Sequence, residues 1–297
     1  MKPLRRAALG LGLLLVVACM PKVIPPPLPP PPPPRPAKIA VVLGAGASRG
    51  FAHVGALKVL ESQKVPIHLI VGTSSGSFVG SLYAYGFDGF QLQKMALAIQ
   101  KDDVVDLTIP DNGFVRGEKL ENFVNKAVQN CTLERLRIPF LAVATNVQTG
   151  DETVFATGNT GKAVRASCSS PGIFQPVRIG EKTYVDGGLV SPVAVNAARK
   201  AGADVVIAVD ISAGVAGTLP QGILETILQS IDIMYTKIAA AQIRNADVVI
   251  RPRVSHINSS DFERRHEAIL EGEKAATDAM PQIRQILSKL RLEGRLP

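Results

Sequence analysis

Ile67–Gly80 (IHLIVGTSSGSFVG) restricts the folds open to this chain more than any other stretch. Ile67, Leu69, Ile70 and Val71 make a short β-branched and aliphatic run of the kind that forms a buried strand. It stops at Gly72-Thr73-Ser74-Ser75-Gly76, and Phe78 to Tyr85 then predicts a helix. Glycine lets a backbone turn sharply and lets another element come close, so a serine between two glycines is pushed out at the tip of the turn. A helix that starts there aims its free N–H groups and the positive end of its dipole at the serine oxygen. Strand, G-x-S-x-G and helix in that order is the context of a nucleophile elbow, although the same letters also make a Gly/Ser-rich turn with no chemistry.

The segment just before it has the same plan. Lys38–Leu43 (KIAVVL) is a buried strand that runs into Gly44-Ala45-Gly46-Ala47-Ser48-Arg49-Gly50, after which Phe51, Val54, Leu57 and Leu60 fall at helical spacing. The glycines are spaced G-x-G-x-x-x-G and the next strand ends in Val71-Gly72 rather than an acidic residue, so the match to a dinucleotide fingerprint is weak. The other use of such a loop is a cradle of backbone N–H groups for an oxyanion. Adjacent strands of a parallel sheet would bring this loop beside Ser74.

The rest of the chain alternates in the same way. Asp88–Ile109 is mostly helical, and its acidic cluster of Asp102, Asp103 and Asp106 is expected to be a solvated face rather than a metal site. Gly113–Gly117 is a loop before a helix at Glu118–Gln129. Ile138–Ala144 is a strand with Glu152–Ala156 as its hairpin partner, and Val164–Ser170 is a short helix. Thr183–Asp186 ends a short strand at Asp186-Gly187-Gly188, and Ser191-Pro192 opens a helix to Lys200. Asp204–Asp210 is a strand, Leu224–Arg244 a helix, Ala246–Ile250 a strand and Glu263–Leu290 a terminal helix. This order predicts an α/β fold with a mainly parallel central sheet flanked by helices on both faces.

Composition narrows the partners. With 297 residues, 46% of them hydrophobic, there is material for one sizeable core plus short appendages. Tryptophan is absent, aromatics make up 5%, and there is no dense Lys/Arg run, which argues against a nucleic-acid partner. The net charge of +8 includes Lys2, Arg5 and Arg6; without them 30 basic and 25 acidic residues leave +5, a bias compatible with an anionic membrane surface.

The N-terminus has a basic start, an apolar run from Ala7 to Val17 too short to span a bilayer, and a small Ala18. This pattern predicts a secretory signal over residues 1–18. Val16-Val17-Ala18-Cys19 resembles a bacterial lipobox, in which Cys19 becomes the lipidated first residue; an ordinary signal with a chance cysteine is the other reading. Met20 points, by resemblance to known sorting patterns, to the outer membrane of a diderm cell envelope. Residues 21–36 are mostly proline and would form an extended rod, at ~3.1 Å per residue roughly 50 Å long, making residues 19–37 a tether and residues 38–297 the folded domain. Cys131 and Cys168 could pair or remain buried thiols.

Taken together, Gly44–Gly50 with Arg49 before its last glycine, the G-x-S-x-G at Gly72–Gly76, and Asp186-Gly187-Gly188 resemble the patatin-like phospholipase family in order and spacing. Ser167–Pro176 (SCSSPGIFQP) resembles the family's segment between elbow and aspartate. The resemblance implies a three-layer patatin-like fold and a carboxylic ester hydrolase of the phospholipase A or lysophospholipase type. Its substrate would be a lipid or other fatty-acyl ester, and no cofactor or metal would be needed. Ser74 would be the nucleophile and Asp186 the general base. Gly44, Ala45, Gly46, Ala47, Arg49 and Gly50 would form the oxyanion loop, and Gly72 and Gly76 the elbow. The family is richer in glycine where Ala45 and Ala47 stand; alanine still offers its N–H, so the hole survives if these residues need no positive φ. Arg49 would orient the loop or meet a phosphate, or else pack and pair with a surface carboxylate.

Two other readings compete. A Ser–Asp–His triad would use Ser74, Asp186 or Asp210, and His256 or His266, an allowed chain order. A tethered, catalytically idle lipoprotein would bind lipid or a partner instead. His53 and His68 are expected on a helix face and at a strand entry, without special roles.

Overall fold

A computed structural model describes residues 34–109, 112–212 and 219–297; the expected signal, Cys19 and nearly all of the proline tether lie outside these residues. The strands are β1 (Ile39–Leu43), β2 (Leu69–Thr73), β3 (Phe140–Asn146), β4 (Glu152–Phe155), β5 (Val177–Ile179), β6 (Lys182–Asp186), β7 (Val205–Val209) and β8 (Val248–Ile250). They form one sheet in which hydrogen-bonded neighbours run β5-β6-β3-β2-β1-β7-β8 and β4 pairs with β3 as well. β1, β2, β3, β7 and β8 pair in parallel, while β4, β5 and β6 join through antiparallel ladders. The helices are α1 (Phe51–Ser62), α2 (Ser75–Tyr85), α3 (Gly89–Ala98), α4 (Lys101–Val104), α5 (Glu118–Ala127), α6 (Thr160–Ser167), α7 (Val195–Lys200), α8 (Ile223–Gln242) and α9 (Arg265–Leu292).

β1 is buried along its whole length because both faces of the sheet are covered. Ile39, Val41 and Leu43 point to one face and pack with Leu57 of α1, Val79 of α2 and Ile269 and Ile283 of α9. Ala40 and Val42 point to the other and pack with Val195 of α7 and Ala239 of α8. The fold is therefore the expected mixed, mainly parallel sheet between two helical layers.

Several boundaries differ from the sequence expectation, each for a local reason. α6 begins at Thr160, four residues before the predicted Val164, because the Asn159 side chain accepts from Lys162 N and caps the first turn. α7 starts only at Val195, since Val193 N is held by Gln242 Oε1 across the interface with α8. Asp106 is more than a solvated acid: its carboxylate accepts from Gly117 N, Glu118 N and Lys119 N at 2.7–3.2 Å, satisfying the free N–H groups at the start of α5. No group of three or more potential metal ligands occurs among the described residues.

Sheet register sets up the functional end. β3 residues 142–143 pair with β2 on one edge and with β4 on the other. Residues 144–145 pair with β4 and with β6, so β6 shares the edge of β3 that β2 occupies. Thr73 is opposite Val143, and the next position, Ala144, is opposite Asp186. Where β2 leaves the sheet at Ser74, the antiparallel β6 delivers Asp186 into the vacated place.

Candidate active site

Ser74 stands between β2 and α2 at φ 53° and ψ −124°. A non-glycine residue there costs about 1–3 kcal/mol and persists only when its surroundings hold it. Ser74 N donates to Ser167 Oγ at 2.9 Å, and Ser167 Oγ donates to Val143 O. Ser77 binds the Ser74 carbonyl through both its N–H (2.8 Å) and its Oγ (2.7 Å). Gly76 is required by close approach: a Cβ there would lie 2.0 Å from Leu43 O. Neither Ser167 nor Ser77 stands out in the sequence as a support of the elbow.

Asp186 is 1% exposed, and its Oδ2 accepts from Ser74 Oγ at 2.6 Å. Its Oδ1 accepts from Gly188 N at 2.8 Å, and its own N–H and C=O are tied to Ser169 O and Thr145 Oγ1. Burial raises its pKa to about 6, partly offset by the donors Ser74 and Gly188 N. The Tyr235 hydroxyl of α8 lies near enough to this carboxylate to influence its ionisation, but outside hydrogen-bond geometry. Gly188 makes room for that ring, since a Cβ there would lie 2.2 Å from Tyr235 Cζ.

The loop after β1 sits beside the serine. Gly44 N donates to Val209 O, Ala45 N to Pro192 O, Ser48 N to Ser259 O and Arg49 N to Gly46 O. Among the described residues, these bonds use every N–H from Gly44 to Arg49 except those of Gly46 and Ala47. Arg49 is 3% exposed; it pairs with Asp232 of α8 at 2.6 Å and donates through Nε to Gly46 O, and both it and Gly50 line the cleft in front of Ser74. Of the two expectations for Arg49, carboxylate pairing and loop orientation therefore occur together. His53 is fully buried, its Nε2 donating to Gly44 O at 2.8 Å, and desolvation lowers its pKa to about 4, so it is neutral at pH 7. It braces the loop, contrary to the expectation of no special role.

The two alanines behave differently. Ala45 has no positive φ, but Ala47 has φ 50°, so the condition under which both substitutions are harmless fails at Ala47. The left-handed conformation costs an L-residue about 1–2 kcal/mol, and glycine gives back about 0.4–1 kcal/mol in unfolded-chain entropy. Ala47→Gly is thus expected to raise stability by about 0.5–1 kcal/mol, read from urea unfolding midpoints, with activity retained because the N–H stays.

Among the described residues, no histidine lines the cleft. His256 Nε2 lies 2.6 Å from Glu267 Oε1, half exposed, His266 is exposed, and His68 Nδ1 accepts from Ile39 N. Asp210 accepts from Ser212 and faces Arg251. Neither His256 nor His266 is therefore brought to Ser74 and Asp186, as a triad would need. Cys131 and Cys168 are both free thiols; Cys168 Sγ lies 3.8 Å from Ser77 Oγ, and burial pushes its pKa up. The cleft measures about 620 Å³, and Phe78, Leu82, Leu92, Met95 and Ile99 make its walls largely apolar.

A family model described as patatin-like phospholipase matches residues 41–199. The chain is 34% identical over 190 residues to lysophospholipase NTE1 of Coccidioides immitis, a match covering 62% of this chain and 12% of that protein. It is 33% identical over 181 residues to patatin-like phospholipase domain-containing protein 6 of Homo sapiens, covering 58% and 13%. It is 30% identical over 270 residues to an uncharacterized NTE family protein of Mycobacterium tuberculosis, covering 82% and 46%. The matches thus span less than half the length of each of these relatives. Among solved structures, VipD from Legionella pneumophila superposes with a TM-score of 0.59 at 12% identity, covering 84% of this chain and 67% of that one.

Proposed function

The chain belongs to the patatin-like phospholipase family, whose model spans more than half of it, and from that premise we propose that it hydrolyses lipid acyl esters with a Ser74–Asp186 dyad. The observation that carries the reading is the 2.6 Å contact between Ser74 Oγ and a buried carboxylate, at one side of an apolar cleft. Ser74 Oγ attacks the ester carbonyl while its proton passes to Asp186. The N–H groups of Gly46 and Ala47, with the free N-terminus of α2, receive the oxyanion. The alcohol leaves with the proton from Asp186, and water, deprotonated by Asp186, then releases the acid.

The cleft suits an acyl chain, and the related proteins named lysophospholipase favour a phospholipid or lysophospholipid as its source. The same proposal takes residues 1–18 as a signal, Cys19 as a lipid anchor in the outer membrane and residues 19–37 as the tether of a hydrolase domain spanning 38–297.

The test is an assay of the full chain on a chromogenic short-chain ester and a fluorescent phospholipid, with and without chelator, beside His256→Ala. We expect hydrolysis that is unmoved by chelator and within about twofold of native in the variant, a surface change away from the chemistry. A folded protein without hydrolysis would favour a binding lipoprotein. Loss on chelation or with His256→Ala would overturn the dyad.

A further inference from the structure

In the resting arrangement both oxygens of Asp186 are engaged, Oδ2 by Ser74 Oγ and Oδ1 by Gly188 N. A third donor waits beside them. Tyr235 is 5% exposed and lines the cleft; its hydroxyl already feels the charge of Asp186 but has no described partner in hydrogen-bond geometry. A buried hydroxyl left unpaired is costly, so its persistence calls for a role. Its place is narrowly defined: a Cβ on Gly188, two residues after Asp186, would lie 2.5 Å from the hydroxyl oxygen. Three residues earlier on the same face of α8, Asp232 holds Arg49 of the loop, so one turn of this helix touches both halves of the site.

We infer that Tyr235 is a positioning residue for the second half of the reaction, its hydroxyl donating to Asp186 once Ser74 no longer can. The inference rests on the dyad reading above. In the acyl-enzyme, Ser74 Oγ is bonded to the acyl carbon and carries no proton. The proton it gave to Asp186 has left with the alcohol, so Asp186 is again a carboxylate, 1% exposed, with Gly188 N as its remaining donor. An under-solvated buried charge is strongly disfavoured. The Tyr235 hydroxyl, turning on its C–O bond and shifting slightly, fills the gap and keeps Asp186 aimed at the incoming water. Water then bonds to the acyl carbon and gives its proton to Asp186, the C–Oγ bond breaks, and that proton returns to Oγ. Tyr235 ends each cycle with its own proton.

The test uses the full chain and Tyr235→Phe on a p-nitrophenyl ester, whose good leaving group makes acylation fast and deacylation limiting. The expected result is a split: kcat and KM both fall by about tenfold, the scale of one lost hydrogen bond to a charged group, while kcat/KM stays unchanged. The p-nitrophenol burst is kept, and its steady phase slows. Because the hydroxyl meets no described partner in hydrogen-bond geometry in the resting arrangement, the thermal midpoint of Tyr235→Phe should change little. An unchanged kcat would overturn the inference, as would equal losses in kcat and kcat/KM, or a lowered midpoint that tracks the loss. Turnover surviving in Ser74→Ala would overturn the dyad reading and this inference with it. A dead Ser74→Ala beside a Tyr235→Phe indistinguishable from native would overturn the inference alone.

Discussion

Asp186→Asn is expected to lower ester turnover by about 10²–10⁴-fold, the range that one general base contributes, and Ser74→Ala to remove at least as much. The amide would keep the size of the side chain and an oxygen for Gly188 N–H, so the turn after β6 should persist. It cannot accept the proton of Ser74 Oγ, and among the described residues of the cleft no histidine stands by to take it. On the proposed mechanism the two changes remove members of one unit, so the double variant should be no slower than the worse single one. Native turnover should also fall about tenfold per pH unit below about 6, where the buried carboxylate takes up its proton and ceases to be a base. Initial rates on a chromogenic ester across pH, with circular dichroism to verify folding, make the measurement. An Asp186→Asn enzyme within tenfold of native would sink the assignment of the base, and so would a native profile flat through pH 6.

What the sequence discloses of this site is what is local in the chain. Ser74 and the Gly44–Gly50 loop each follow a strand within a few residues, so turn chemistry and apolar runs are enough to place both at the same end of a parallel sheet. Asp186 can be picked out by its two glycines, but its approach to Ser74 depends on β6 taking over the edge of β3 that β2 vacates, a register no single segment encodes. Tyr235 and Asp232 escape notice for the same reason, and Ser167, although it opens the stretch that resembles the family, gives no sign in the sequence of holding the elbow. They reach the site from α6 and α8, where each is an ordinary helical residue. His53 carries a faint signal, a polar side chain on the inner face of an otherwise apolar helix, yet its partner Gly44 O is defined only by tertiary packing. The positive φ of Ala47 likewise arises in a loop held down by Ser48, which bonds residues 258 and 259 from the far end of the chain.

The Asp186→Asn chain should also be more stable than the native one at pH 7, by up to about 3 kcal/mol, and should lose that advantage in acid. The sign follows from the direction of the shift. Burial raises the pKa of Asp186 from 3.8 to about 6, so the folded state holds this proton more tightly than the unfolded chain does. Its contribution to stability is complete below 3.8 and is lost as pH rises through 6; at neutral pH the fold carries an ionised carboxylate against the preference of its surroundings. His53 acts oppositely. Its pKa falls from 6.5 to about 4, so its contribution is present above 6.5 and is lost as pH drops through 4, again about 3 kcal/mol. In the native chain the two nearly cancel between pH 6.5 and 4. In Asp186→Asn only His53 remains, and the variant should be the more acid-sensitive of the two. Urea unfolding of both chains at several pH values tests this: a variant less stable than native at pH 7, or a gap that stays constant down to about pH 4, would contradict the account of Asp186. On the proposed mechanism the carboxylate must be ionised in a place that disfavours the charge, because the same desolvation that weakens the fold would make Asp186 basic enough to take a proton from serine.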